Sequence, residues 1–198
     1  MKSIIQIVPK LPPAIDGLGD YALNLARQFR LDHQLDTIFV VGAPDWKGSD
    51  EIEGFKVFKL PNRDCDSLVS LLSQLPTSKV LLHYVGYGYA KRGCPIWLIQ
   101  ALEIWKRQHQ QAHLVTMFHE IAASGPLWTS AFWLSATQRN LAKRLVKVSD
   151  RLLTSKQLYA EILQDHSKGR FNEIPSLPIF SNVGEPANPL TYPNEIAI

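Results

Sequence analysis

Leu114-Val115-Thr116-Met117-Phe118-His119-Glu120 is the stretch that decides the fold. Leu114 to Phe118 is a short run dominated by apolar side chains. Such a run suits a strand covered on both faces, as in a parallel sheet with helices above and below. His119 and Glu120 then fall at the carboxyl end of that strand. In open α/β sheets this is the edge that holds the ligand crevice, because the loops leaving it diverge there. A hydrogen-bonded histidine that merely closes the strand is the structural alternative.

Outward from this stretch, strand-like and helix-like runs alternate. Ser3–Val8 reads as a first strand, followed by a long loop and a helix over about Asp20–Leu31, with Leu23, Ala26, Arg27 and Arg30 marking its two faces. Thr37–Val41 is a second strand, ended by Gly42-Ala43-Pro44, and Phe55–Leu60 a weaker one. Helical spacing returns at Leu68, Leu71, Leu72 and Leu75. Val80–Val85 is a strand that is apolar apart from His83, which is expected to be a hydrogen-bonded core histidine. A glycine-rich loop leads to Pro95, placed as the first residue of a helix carrying Ile96, Leu98, Ile99, Leu102 and Trp105. Beyond the opening stretch come a long helix from about Trp128 to Val148, a strand at Arg151–Thr154, a helix at about Lys156–Asp165 and a strand at Leu177–Val183. This alternation predicts an α/β, Rossmann-like three-layer domain, with a mostly parallel sheet and right-handed helical crossovers, over residues 1–185. Residues 186–198 are rich in proline and read as a linker, and their ending is expected to mark the approach to a second domain.

Composition narrows the function. A chain of 198 residues with 45% hydrophobic and 20% charged residues matches an ordinary globular domain. A net charge of +3 is too slight to argue for nucleic acid. Cys65 and Cys94 have no metal-ligand spacing, so neither a disulfide nor a zinc framework is expected and a reducing cytoplasm fits. The amino terminus lacks the pattern of a signal peptide, and no window approaches the ~20 apolar residues of a membrane span.

The first loop carries the second motif. Gly17 and Gly19 would let the backbone approach a ligand, and the following helix would offer unpaired N–H groups to an anion such as phosphate. Gly17-x-Gly19-x-x-Ala22 matches the dinucleotide fingerprint only formally. Several residues separate Gly17 from the strand, and the second strand runs into Gly42 rather than an acidic residue that would hold a ribose. A turn that uses glycine for its shape is the plain alternative, and Asp20 would then simply cap its helix.

These residues resemble a family. Gly17-Leu18-Gly19-Asp20-Tyr21-Ala22 after a Val-Pro strand end is similar to the amino-terminal loop of the glycogen-synthase-like retaining glycosyltransferases of GT-B fold. Phe118-His119-Glu120 resembles the same family's strand ending in His-Asp or His-Glu. Arg151-Leu152-Leu153-Thr154-Ser155-Lys156 is similar to a later strand of its first domain, and Leu177–Glu185 to the strand that closes that domain. Tyr84-Val85-Gly86-Tyr87-Gly88-Tyr89 and Ser124-Gly125-Pro126-Leu127-Trp128 resemble cyanobacterial exopolysaccharide transferases. The likeness covers nearly the whole chain as one half of a GT-B fold. It implies that a second domain, not contained in this sequence, holds most of a nucleotide-sugar donor such as UDP-glucose or GDP-mannose. It further implies that Gly17, Leu18 and Gly19 approach the donor phosphates and that His119 reaches the transferred sugar. Glu120 would orient His119 or an acceptor hydroxyl, and no metal or other cofactor is expected.

The resemblance assigns a saccharide or lipid-linked acceptor to loops of this domain. The candidates are Asp20, Tyr84, Tyr87, Tyr89, Lys91 and Arg92: a tyrosine face stacks on a sugar ring, and a basic pair can hold a phosphate or uronate. Tyr87 and Tyr89 could equally pack over the sheet edge. Arg139, Lys143 and Lys147 form one stripe of the long helix, with Leu134, Leu141, Leu145 and Val148 on its core face and Trp128, Phe132 and Trp133 upstream. Basic residues beside aromatics suit either a solvated face or peripheral contact with an anionic membrane, at the inner face of the plasma membrane. The resulting expectation is the acceptor-side domain of a glycosyltransferase of polysaccharide biosynthesis, with little activity alone. Its rivals are an NAD-dependent reductase and a non-catalytic saccharide-binding module.

Overall fold

A computed structural model describes residues 2–122 and 130–177, without the side chains of 130–132. Strand β1 (Lys2–Val8) leads through an eight-residue loop, 9–16, into helix α1 (Gly17–His33), which returns the chain to β2 (Leu35–Val41). A two-residue strand β3 (Glu51–Ile52) turns back into β4 (Phe55–Lys59), and α2 (Cys65–Gln74) crosses to β5 (Lys79–Tyr84). A single turn α3 (Gly86–Tyr89) and helix α4 (Ile96–Gln108) precede β6 (His113–Phe118). Helix α5 (Ser130–Val148), β7 (Arg151–Thr154) and α6 (Gln157–Ser167) complete the described elements.

The strands form one seven-stranded sheet in the order β3-β4-β2-β1-β5-β6-β7, parallel throughout except for β3 against β4. The central strands are buried on both faces: Ile5, Ile7 and Val8 of β1 and Leu82 of β5 are wholly inaccessible. That explains their near-continuous apolar runs. One face of the sheet carries the largest core cluster, in which Leu98, Leu102 and Trp105 of α4 and Leu141 and Leu145 of α5 meet Val80, Leu82 and Leu114. On the other face α1 lays Tyr21 near Leu81 and Met117, and Ala22, Leu23 and Ala26 near Phe39 and Phe55. The molecule is therefore the Rossmann-like three-layer α/β domain read from the sequence.

Four local readings are revised. Helix α1 begins at Gly17, three residues earlier than expected, because the carboxylate of Asp16 accepts the amide proton of Leu18 at 3.0 Å and caps it. Asp16 is thus the cap and Asp20 a first-turn residue. The Glu51–Lys59 hairpin was legible only as its second strand, since its turn uses Glu53 at φ 52° and Gly54 at φ 76°, and glutamate gives no left-handed signal. Arg27 and Arg30 of α1 make the turn hold: Arg27 pairs with the Glu53 carboxylate, and Arg30 donates to Glu53 O and Gly54 O. The glycine-rich stretch after β5 is the helical turn α3 rather than an open loop. Finally, Pro95 stands at the N-cap of α4, one residue before its first turn. The strand expected at Leu177–Val183 lies outside the described residues beyond Leu177, as do the linker at 186–198 and the Ser124–Trp128 stretch; Ser176 bridges Thr154 in parallel.

Candidate functional site

From β1 the chain builds the sheet to one side through β2 and β4, then crosses to the other side with β5, β6 and β7. The reversal lies between β1 and β5, and in such sheets the crevice opens outside the carboxyl ends of the strands that flank it. The structure brings the sequence-selected residues to this edge unequally.

At the point of divergence, Tyr89 is wholly buried. Its hydroxyl lies 3.0 Å from Ile7 O on β1 and 3.0 Å from His83 O on β5, tying the two strands where their ladder ends at Ile7 and Leu82. Tyr84 is also wholly buried, edge-on to Phe118, and among the described residues its hydroxyl has no hydrogen-bond partner. Burial raises the pKa of both phenols well above the usual range. Neither ring offers a face to a sugar, so the acceptor roles expected of Tyr84 and Tyr89 are replaced by packing ones.

Tyr87 differs. It is 43% exposed and lines a groove of about 520 Å³ with Gly88, Lys91, Pro9, Lys10, Ile15, Asp16, Asp45 and Arg63. Arg63 is fixed there by donating to Gly42 O at 3.1 Å and Gly88 O at 3.4 Å. Of the six acceptor candidates, Tyr87 and Lys91 therefore share a concavity. Arg92 is exposed outside its lining, and Asp20 is half-buried in the first turn of α1. Arg63, Lys10, Asp16 and Asp45 went unread because each sits alone in a loop without periodicity.

The glycine loop does less than expected. A Cβ on Gly19 would stand 2.5 Å from Lys10 O, so this glycine lets α1 press onto the β1–α1 loop, whose backbone fills the space a ligand would need. The Leu18 amide already serves Asp16, and the carboxylate of Asp16 lies at the helix start. Gly17 remains exposed at the helix tip. Of the three amides read as a cradle at Gly17, Leu18 and Gly19, that of Leu18 is taken by the protein's own Asp16.

His119 stands at the carboxyl end of β6. Its backbone amide donates to Tyr84 O at 3.0 Å, holding the residue as β6 gives way to loop. Its imidazole lies 3.2 Å, Nε2 to Nδ1, from His83, with the two rings tilted by 27° and their centroids 5.5 Å apart. Tyr21, from the first turns of α1, packs edge-on against both rings, 5.9 Å from His83 and 5.4 Å from His119. The opposite nitrogen of His83 lies 2.7 Å from Gln6 Oε1, and Gln6 Nε2 in turn reaches Thr37 Oγ1 at 3.4 Å. A polar chain therefore runs from β2 through β1 and β5 to the end of β6, inside an apolar sheet. Burial lowers the pKa of His119 to about 4, and burial together with neighbouring His119 lowers that of His83 to about 3. Both imidazoles are neutral at pH 7. Glu120 is half-buried, and no hydrogen bond joins it to His119 among the described residues; the partner of His119 is His83.

Family models and curated proteins were compared with the chain. None matches. Among the described residues no group of three or more His, Cys, Asp or Glu side chains is placed to hold a metal ion, and no helix is long and apolar enough to cross a membrane. The stripe of Arg139, Lys143 and Lys147 is exposed on α5 opposite the buried Leu141 and Leu145. Trp133 is 73% exposed, while Trp128 and the side chain of Phe132 lie outside the described residues.

Proposed function

We propose that this chain is the acceptor-side domain of a nucleotide-sugar-dependent glycosyltransferase, transferring a sugar to a saccharide or lipid-linked acceptor in polysaccharide biosynthesis. The observation that carries the reading is the meeting of His119 with the first turns of α1, through Tyr21 at 5.4 Å, beside the strand reversal. In this reading the neutral His119 ring accepts a hydrogen bond from a sugar hydroxyl and lays electron density near the positive charge that develops at the anomeric carbon. The groove of Tyr87, Lys91, Arg63 and Lys10 takes the acceptor, with the tyrosine ring against a sugar face and the cations against a uronate or phosphate. The leaving diphosphate is held mainly by a second domain, because Asp16 places negative charge at the start of α1.

Titrating the chain with a panel of nucleotide sugars and acidic oligosaccharides, followed by NMR at His119, Tyr87 and Lys91, tests this. Saturable shifts in both places are expected, with negligible release of nucleoside diphosphate by the chain alone. A panel that moves neither His119 nor the groove overturns the proposal, and rapid turnover overturns the division of labour. The reductase reading is disfavoured by the occupied helix start and by Gly42 at the end of β2, where a ribose-binding acid would stand. Saturable NAD binding in calorimetry would revive it.

A further inference from the structure

Gln6 interrupts the apolar run of β1 and is wholly buried, as are Thr37 and His83. A buried amide and imidazole persist in a sheet core only when their hydrogen bonds are made, and here the bonds have a direction. We propose that Gln6 and His83 are positioning residues that fix His119 as the tautomer protonated on Nε2, leaving Nδ1 as the acceptor for a substrate hydroxyl. The identity of that hydroxyl as a sugar's rests on the function proposed above; the tautomer does not.

The direction follows from the distances. The 2.7 Å contact between Gln6 and His83 is a short N–H···O bond, which turns the amide oxygen toward the ring and the amide nitrogen toward Thr37. His83 therefore donates from Nε2. It is wholly enclosed and neutral, so that proton is its only one, and Nδ1 presents a lone pair. Across the 3.2 Å to His119, only the Nε2–H of His119 can supply the hydrogen. Tyr21 packs edge-on to both rings. Among the described residues the remaining nitrogen of His119, Nδ1, takes no hydrogen bond.

A lone pair at Nδ1 discriminates by chemistry. A hydroxyl can donate to it; an ionised carboxylate or phosphodiester oxygen, being acceptor only, is repelled unless the ring first takes a proton. The burial that keeps His119 neutral opposes that proton. The site at the end of β6 is accordingly selective for neutral, hydroxylated ligands, and anionic groups belong to the separate groove around Arg63 and Lys91.

Long-range proton–nitrogen correlation spectra of the chain labelled at histidine, at pH 7, read the tautomers directly. Both His83 and His119 are expected with the proton on Nε2. The variant Gln6→Met keeps length and burial but removes the acceptor, and is expected to convert His119 from one tautomer to a mixture. A wild-type His119 protonated on Nδ1 overturns the proposal, as does an unchanged single tautomer in the folded variant. If Gln6→Met does not fold, the wild-type spectrum still decides. Movement of the His119 Nδ1 resonance on adding acetate, an anion with no donor, at pH 7 overturns the hydroxyl preference. Because the tautomer is read without any sugar, its failure leaves the glycosyltransferase reading standing. Conversely, the expected tautomer with no response to saccharides sinks that reading alone.

Discussion

Acidification is the perturbation whose size is best set by the structure. In an unfolded chain a histidine titrates near pH 6.5, whereas in the fold His119 titrates at about 4 and His83 at about 3. Between those limits the unfolded state binds protons that the native state refuses, so stability present above pH 6.5 is lost as the pH falls toward 4. The slope is about 1.4 kcal/mol per pH unit for each ring. By pH 5 that amounts to about 2 kcal/mol each and ~4 kcal/mol together, a large share of the 5–15 kcal/mol typical of a domain. Stopping at pH 5 keeps most of the carboxylate contribution out of the window; Asp150, whose pKa the Lys106 ion pair lowers, weakens only at more acid pH. His166, also lowered by burial, adds the same slope to wild type and variant alike. Urea unfolding at pH 7, 6 and 5 should show the fall in wild type, and His119→Gln should lose about half of it. A profile that stays within about 1 kcal/mol from pH 7 to 5, or an unchanged slope in the variant, refutes the idea of two buried neutral imidazoles.

Gly19→Ala should destabilise the chain by about 1–3 kcal/mol despite alanine's better helix propensity, because the new methyl meets Lys10 O, and thermal melting will show it. Tyr84→Phe should be neutral or stabilising by up to about 1 kcal/mol, since it deletes a buried hydroxyl without a partner, whereas an acceptor-binding role would show as lost saccharide affinity instead. Tyr89→Phe should cost about 1–2 kcal/mol by stripping Ile7 O and His83 O of their shared donor, measured by urea midpoint. Sedimentation with phosphatidylglycerol vesicles separates the two readings of the α5 stripe: peripheral membrane contact requires that the chain co-sediments and that a Lys143→Glu, Lys147→Glu variant does not, whereas equal binding by both, or none by either, leaves a solvated basic face.

Much of the fold was legible because the central strands are sandwiched, and burial on two faces leaves unbroken apolar runs that turn residues bound cleanly. Arg151–Thr154 has the boundaries expected of it, and α2, α4 and α5 follow their leucine spacing closely. What stayed hidden was set by contacts between distant segments. Nothing local marks Asp16 as a cap eight residues past β1, or Glu53 as a left-handed turn residue stabilised by an arginine from α1. The site was half legible: a histidine at a strand end is a visible signal, and His83 was expected to be a hydrogen-bonded core residue. That His83 bonds to His119 depends on strand pairing, which places Tyr84 beside Phe118 and so sets the two rings side by side. Gln6 gave a signal that was passed over, since a polar residue inside a buried strand asks for a partner. Tyrosines in a glycine-rich turn suggested exposed sugar platforms, yet the helical turn of α3 rotates Tyr87 outward and Tyr89 inward.

The hairpin at Glu53 and Gly54 also bears on how the domain behaves in a crowded solution. A parallel sheet ending in a flat margin invites another chain to extend it, but this one stops at an antiparallel flap two residues long, clasped from α1 by arginines. At the opposite margin β7 spans four residues and already meets Ser176. Loosening the clasp by Arg27→Ala with Arg30→Ala should therefore reveal itself first as fibril seeding or dye-binding oligomers rather than as a lowered melting point.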